Sequence, residues 1–285
     1  MQITPQIHAL KIPFTVPLSA EKSLDRFAFV YLLFGDSIHL IDSGVAGAAG
    51  TIWDYIKKQG RDPQEVSSLI LTHSHPDHLG AAKSIKAQTG CTVFAHKGEQ
   101  DWIEDTEKQY QDRPVPGFHT LVEGAVEVDV LVEDGELLEL EKNLNCQIIH
   151  TPGHSRGSIS LLFEKENALF TGDTLILPGD LPIYEDISQC LASIKRLQKI
   201  QNLDTLFSSW EPPMQGRQPI RQRMEESLSY LDRIHASVIH SSQNAEGQSG
   251  MELCQKAVAE LGLPPFAAMP LVARAFESSL KMDKG

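Results

Sequence analysis

The sequence predicts a mixed α/β fold. Three observations carry this expectation. Short apolar segments bounded by turn residues recur along most of the chain, and segments with helical periodicity fall between them. In addition, 285 residues with 41% hydrophobic content are enough for one large core, or for a core with a smaller appendage.

Taken in order, Phe27 to Phe34 and Ile38 to Ile41 read as a hairpin around Gly35-Asp36. Ala46 to Gln59 follows as a helix ending at Gly60. Leu69 to Thr72 is a strand, Leu79 to Gln88 a helix closed by Gly90, and Thr92 to Ala95 another strand. Asp134-Gly135 lies between Val126 to Val132 and Glu136 to Leu140, a hairpin signal. Cys146 to His150, Ile159 to Phe163 and Ala168 to Phe170 continue a β-rich half, followed by a helix over Ile187 to Ile200 and a short strand at Thr205 to Ser208. The character then changes: Gln218 to His240 is a long, mostly polar helical pattern, residues 243–250 are a loop, and Met251 to Leu261 and Leu271 to Leu280 are two further helices. Residues 1–216 thus read as one α/β unit and 217–285 as a helical appendage, placed to wall a pocket or to mediate homodimer formation.

Composition narrows the function. A net charge of −13, with no run of Lys or Arg, argues against a nucleic-acid surface. Nothing in Met1 to Pro17 resembles a basic leader with a long apolar core, and no stretch approaches the roughly 20 apolar residues that span a bilayer. Cys91, Cys146, Cys190 and Cys254 are scattered, without metal-ligand spacing, and read as reduced thiols. The expectation is a cytoplasmic protein that acts on a small molecule, with neither nucleic acid nor membrane as partner.

The chemistry is concentrated after the apolar run Leu69-Ile70-Leu71. His73, His75, Asp77 and His78 place three imidazoles and a carboxylate within six positions. A lone histidine is ordinarily a solvated side chain or a hydrogen-bonded core group, and Pro-Asp is ordinarily a turn or a helix cap. Four metal-type ligands at a strand end have no such folding rationale. In an extended segment His73 and His75 share one face, and Pro76 suits the first position of a helix that turns Asp77 and His78 to the same place.

His73-x-His75-x-Asp77-His78 resembles the hallmark of the metallo-β-lactamase superfamily. Two later stretches agree with it in order: Thr151 to Ser158, containing His154 after the strand-like Gln147-Ile148-Ile149, and Phe170 to Leu175, containing Asp173. The early Leu40 to Gly44 also fits, with Asp42 as a supporting residue or a helix cap. The motifs span roughly residues 25 to 210. The resemblance implies a four-layer αββα sandwich with a C-terminal helical appendage. It further implies that His73, His75 and His154 hold a first metal ion, that Asp77 and His78 hold a second, and that Asp173 bridges them. Zinc is the expected metal, one or two ions, with iron or manganese as alternatives, and a metal-bound hydroxide would be the nucleophile.

One departure stands out. Where the family usually carries a last histidine after its final strand, the chain reads Ser208-Ser209-Trp210-Glu211, and indole does not ligate metal. The second site is then weakened, completed by water or by Glu211, or empty, in which case Asp77 is free to act as a general base. Arg156 and Tyr184 are candidates for substrate contact, as is the aromatic-bearing segment with Trp102, Tyr110 and Phe118. Three classes follow: a hydrolase of a small ester, thioester or lactone, similar to the glyoxalase II and lactonase branches; a mononuclear iron oxidoreductase resembling persulfide dioxygenases; and a non-catalytic metal-binding protein.

Overall fold

A computed structural model describes residues 1–17, 23–243 and 249–282. Of the loop expected over residues 243–250, positions 244–248 lie outside the described residues.

The strands form two six-stranded sheets. The first runs β1 (Ile7–Pro17), β2 (Ser23–Phe34), β3 (Ile38–Ile41), β4 (Val66–Ile70), β5 (Thr92–His96), β6 (Val130–Val132), in that spatial order. The second is built from β7 (Leu137–Glu141), β8 (Leu144–His150), β9 (Ile159–Phe163), β10 (Ala168–Gly172), β11 (Thr205–Ser208) and β12 (Met214–Gln215), again as sequential neighbours. Both sheets are mixed: β3, β4, β5 and β6 are parallel, as are β10 and β11.

The helices are α1 (Ala48–Lys58), α2 (Pro76–Leu79), α3 (Ala82–Thr89), α4 (Gln100–Glu104), α5 (Thr106–Asp112), α6 (Phe118–Leu121), α7 (Ile187–Leu197), α8 (Arg217–Ser242), α9 (Gly250–Glu260) and α10 (Pro270–Met282). Three apolar clusters separate the layers. Between the sheets lie Tyr31, Ile70, Ile148, Phe170 and Phe207, the last two rings stacked at 4.3 Å. Ile52, Ile56 and Ile85 cover the outer face of the first sheet through Leu40 and Leu69. Ile187, Ile194, Ile234, Val258 and Phe276 cover the outer face of the second through Leu169 and Leu206. The result is the expected αββα sandwich, with α8 to α10 sharing the second outer cluster.

Two sequence expectations are corrected. Asp134-Gly135 does turn the chain, with Gly135 at φ 80°, but it is not a hairpin. β6 pairs in parallel with β5, whereas β7 pairs with β8 in the other sheet. The turn is held by the second sheet: Gly135 N donates to Ile148 O at 2.9 Å, and Asp134 accepts from His150 N at 2.9 Å. The helix expected over Leu79 to Gln88 is broken at Gly80. Glu123 takes both ends of the helical bond there, its N–H donating to Gly80 O at 3.0 Å and its carboxylate accepting from Ser84 N at 3.1 Å. A Cβ at Gly80 would collide with the Leu121 carbonyl and the Val45 backbone. Strand β1 and helices α4 to α6 were not legible beforehand.

Candidate metal centre

Loops leaving the C-terminal ends of β3, β4, β8, β10 and β11 converge at one edge of the sandwich. The two sheets are stitched together at this edge, where Ile159 N donates to Thr72 O at 3.0 Å. His73 and His75 follow β4, and Pro76 opens α2 with Asp77 and His78 in its single turn. A register shift between Phe170 and Gly172, with Gly172 at φ 50°, ends β10 and presents Asp173. An added Cβ at Gly172 would press on Thr72 Oγ1 at 2.8 Å, so the close approach also requires glycine.

All six ligand candidates meet. His73, His75, His154 and Asp173 form one group of donors, and Asp77, His78 and Asp173 form another, each with its donor atoms within 4.8 Å of one another. Asp173 belongs to both. Its Oδ2 lies 3.3 Å from His154 Nε2 and 3.9 Å from His73 Nε2, while its Oδ1 lies 3.2 Å from His78 Nε2. His154 Nε2 and His75 Nδ1 are 2.8 Å apart, and Asp77 Oδ2 is 3.5 Å from His78 Nε2.

These residues fit a divalent cation. His73 Nε2, His78 Nε2, Asp77 Oδ2 and Asp173 Oδ1 are buried without a hydrogen-bond partner among the described residues. Each such atom costs about 1–3 kcal/mol when it stays unsatisfied, and cations held by the two donor groups would offset all four. Electrostatics point the same way. Burial and His78, against the opposing pull of Asp173, hold the His73 imidazole well below its usual pKa, and burial with Arg113 does the same for His75, so both favour the neutral, ligating form. Burial opposes a charge on His78, yet the carboxylates of Asp173, Asp42 and Asp77 prevail and raise it well above the ordinary range. Burial likewise opposes ionisation of Asp173, but His78 and His154 hold its carboxyl well below the usual range. The cluster of carboxylates calls for positive charge at its centre. Nitrogen and oxygen donors in this proportion suit zinc, iron or manganese.

The ligands are held from behind. Asp42, at φ 62°, accepts from Thr72 N at 2.8 Å, from Thr72 Oγ1, and from His78 Nδ1 at 2.8 Å, which leaves His78 Nε2 facing the centre. His154 Nδ1 donates to Ile183 O at 2.9 Å, with the same effect on its Nε2. Sequence reading missed Glu99, which is 1% exposed. Its carboxylate accepts from Ser74 N at 3.0 Å, from Ser74 Oγ, from Ser155 Oγ at 2.7 Å and from Gly157 N at 2.6 Å. It thereby ties the loop of His73 and His75 to the loop of His154. No motif marks Glu99, because its partners come from distant segments.

The centre opens into a largely apolar pocket whose lining includes Phe14, Val16, Leu24, Leu177, Trp210 and Leu271 alongside His75, Asp77, His154 and Asp173. Trp210 does stand in the pocket wall, between Phe14 at 6.4 Å and the Arg26 guanidinium at 4.2 Å. Glu211 pairs with buried Arg223 at 2.8 Å and is in neither donor group. Tyr184 is buried at the pocket edge. Arg156 is exposed, stacks on Trp102 at 4.6 Å and lines a neighbouring polar recess, apart from the apolar pocket. Trp102, Tyr110 and Phe118 do not line the apolar pocket; their segment contributes Arg113, Val115 and Pro116, which no sequence motif marks.

The model of the metallo-beta-lactamase superfamily matches residues 24–209. Among curated relatives, a hydroxyacylglutathione hydrolase from Pelagibacter ubique is 30% identical over 50% of this chain and 51% of its own length. A second, from Methylococcus capsulatus, is 29% identical over 64% of this chain and 62% of its own length. A probable metallo-hydrolase from Methanocaldococcus jannaschii is 30% identical over 62% of this chain and 84% of its own length. The chain therefore spans about half to three-fifths of the two hydroxyacylglutathione hydrolases. Among solved structures, a metallo-beta-lactamase family protein from Thermus thermophilus superposes with a TM-score of 0.77 at 22% identity, over 99% of this chain and 95% of that one. That likeness is one of fold.

Proposed function

The chain belongs to the metallo-beta-lactamase superfamily, and on that footing we propose that it is a metal-dependent hydrolase of a small ester, thioester or lactone. One observation carries the reading: two donor groups sharing Asp173 open directly into an apolar pocket. Relatives named hydroxyacylglutathione hydrolase support an acyl compound as substrate.

In this reading His73, His75 and His154 hold the first ion, Asp77 and His78 the second, and Asp173 both. A divalent cation held there would lower the pKa of bound water to about 7 and would steady negative charge on a carbonyl oxygen. The chain's own residues do the rest. Asp42 and Ile183 O fix the faces that His78 and His154 present. Asp77 lines the pocket, and where the second ion is absent it is the carboxylate free to take a proton from water or return one to the leaving group. The apolar walls keep bulk water from the reacting acyl group. Residues 1–216 supply every donor, and residues 217–285 contribute Leu231, Met269 and Leu271 to the wall.

Zinc is the proposed metal. The second ion is the weaker one, because Trp210 supplies no ligand and Glu211 is engaged by Arg223. A mononuclear iron site needs only two histidines and one carboxylate. Here three histidines and Asp173 gather with a second donor group beside them, which supports hydrolysis over oxygen chemistry. The four cysteines are unpaired and buried, which supports a reducing compartment such as the cytoplasm; no helix among the described residues is long and apolar enough to cross a membrane. The test is turnover of a panel of thioesters and lactones by the zinc-loaded protein and by His75→Ala. The reading expects turnover in the parent and none in the variant; an inactive parent, or a variant that keeps the activity, overturns it.

A further inference from the structure

Two arginines are buried in the described structure, and they differ in one respect. Arg223, 3% exposed, pairs through Nε with Glu211 at 2.8 Å and donates through Nη2 to the carbonyl of Ile176 at 2.9 Å, with only its Nη1 left without a partner among the described residues. Arg113, 8% exposed, makes no side-chain hydrogen bond and no ion pair among the described residues. It follows α5, and its side chain lines both the apolar pocket and the adjoining polar recess. The other pocket arginine, Arg26, is held by both oxygens of Asp180, at 2.8 and 2.7 Å. Among the described residues, Arg113 alone brings an uncommitted guanidinium to the wall beside the proposed metal ligands.

Such a group is costly. A charge withdrawn from water is ordinarily paired, and an unpaired buried one is retained where something else supplies the partner. Burial depresses the Arg113 pKa to about 10, with Arg274 adding to the effect against Glu185, Asp77 and Asp173, so the side chain stays cationic at neutral pH. Glu185, across the polar recess, is the carboxylate that acts most strongly on Arg113 but forms no ion pair with it among the described residues, and Asp77 and Asp173 are both assigned to the metal, so their compensation of Arg113 falls when the site is loaded. A guanidinium presents a planar fork of donors matched to a carboxylate.

We propose that Arg113 is the anion-binding group of this pocket and that the substrate is an amphipathic molecule, with an apolar body against Val16, Leu24 and Leu177 and a carboxylate received by Arg113. The proposal deepens the hydrolase reading and names its substrate class: acyl compounds that carry a free carboxylate apart from the bond to be cleaved.

The test reads binding, so it stands apart from turnover. Hexanoate and 1-hexanol are titrated calorimetrically into the zinc-loaded protein and into Arg113→Met and Arg113→Lys. Hexanoate should bind the parent about tenfold to a hundredfold more tightly than Arg113→Met, as a charge-assisted hydrogen bond requires, with Arg113→Lys between them. Hexanol should bind all three alike. Arg113→Met should also melt at or above the parent temperature, since it removes an unpaired buried charge. Equal hexanoate affinity in the parent and Arg113→Met, showing that the metal alone holds the carboxylate, overturns the assignment. So does a lower melting temperature in both variants, which marks a structural arginine. Failure of ester turnover in the parent counts against the hydrolase reading and leaves these binding results to stand.

Discussion

Replacing Glu99 with glutamine tests how the two ligand loops are kept in register. In the native protein Oε2 accepts both Ser74 donors, and Oε1 accepts Ser155 Oγ and Gly157 N. Whichever end becomes the amide nitrogen, a hydroxyl on that side can rotate to accept, but one backbone N–H is left buried without an acceptor. That orphan costs about 1–3 kcal/mol, and the remaining bonds lose their charge assistance, so Glu99→Gln should destabilise by about 2–4 kcal/mol. Glu99→Ala orphans both N–H groups and adds a cavity, for a loss of about 4–6 kcal/mol. Against a typical total of about 5–15 kcal/mol, the alanine variant approaches the limit of folding. Urea unfolding of metal-free protein measures the loss directly. Because Ser74 lies between His73 and His75, and Ser155 follows His154, zinc affinity should fall about tenfold to a hundredfold as well. A Glu99→Gln protein within about 0.5 kcal/mol of the parent, with unchanged zinc affinity, would refute the role assigned to this carboxylate.

Further predictions concern the groups around the centre. Asp42→Asn should release His78 and weaken the second ion about tenfold to a hundredfold while the first is nearly unaffected, as stepwise zinc titration would show; equal loss at both sites contradicts the assignment. Arg223→Met should cost about 3–5 kcal/mol in urea unfolding, because Glu211 and the Ile176 carbonyl lose a buried partner; a neutral outcome would mean that the pair is not closed in solution. All four thiols should resist a thiol reagent at pH 8 until urea unfolds the protein. Burial raises the pKa of each, that of Cys146 to about 12, so the reactive thiolate is scarce; one fast-reacting thiol in native protein would contradict this.

Much of the site was legible because it is local. His73, His75, Asp77 and His78 lie within six positions, and strand-then-helix geometry brings them together almost unaided. His154 and Asp173 follow strands whose apolar character is plain in β8 and β10. What escaped depends on distant segments. Glu99 and Arg113 flank short helices without motifs, and their meaning appears only when the loops of His75 and His154 arrive beside them. Strand β1 was hidden by its prolines and a weak edge pattern, although it pairs with β2 over its whole length. Asp134-Gly135 misled because local turn chemistry is the same whether the chain folds back or crosses to the other sheet. The break at Gly80 is likewise imposed from outside, by Glu123.

The most direct test of the central claim is metal analysis of protein purified without chelator, alongside His75→Ala and Trp210→His. A tightly held zinc equivalent in the parent, lost in His75→Ala together with thioester turnover, and a second equivalent strengthened in Trp210→His, is the predicted result. A parent that retains no divalent metal yet still cleaves thioesters, or one whose metal content is indifferent to His75→Ala, would contradict it.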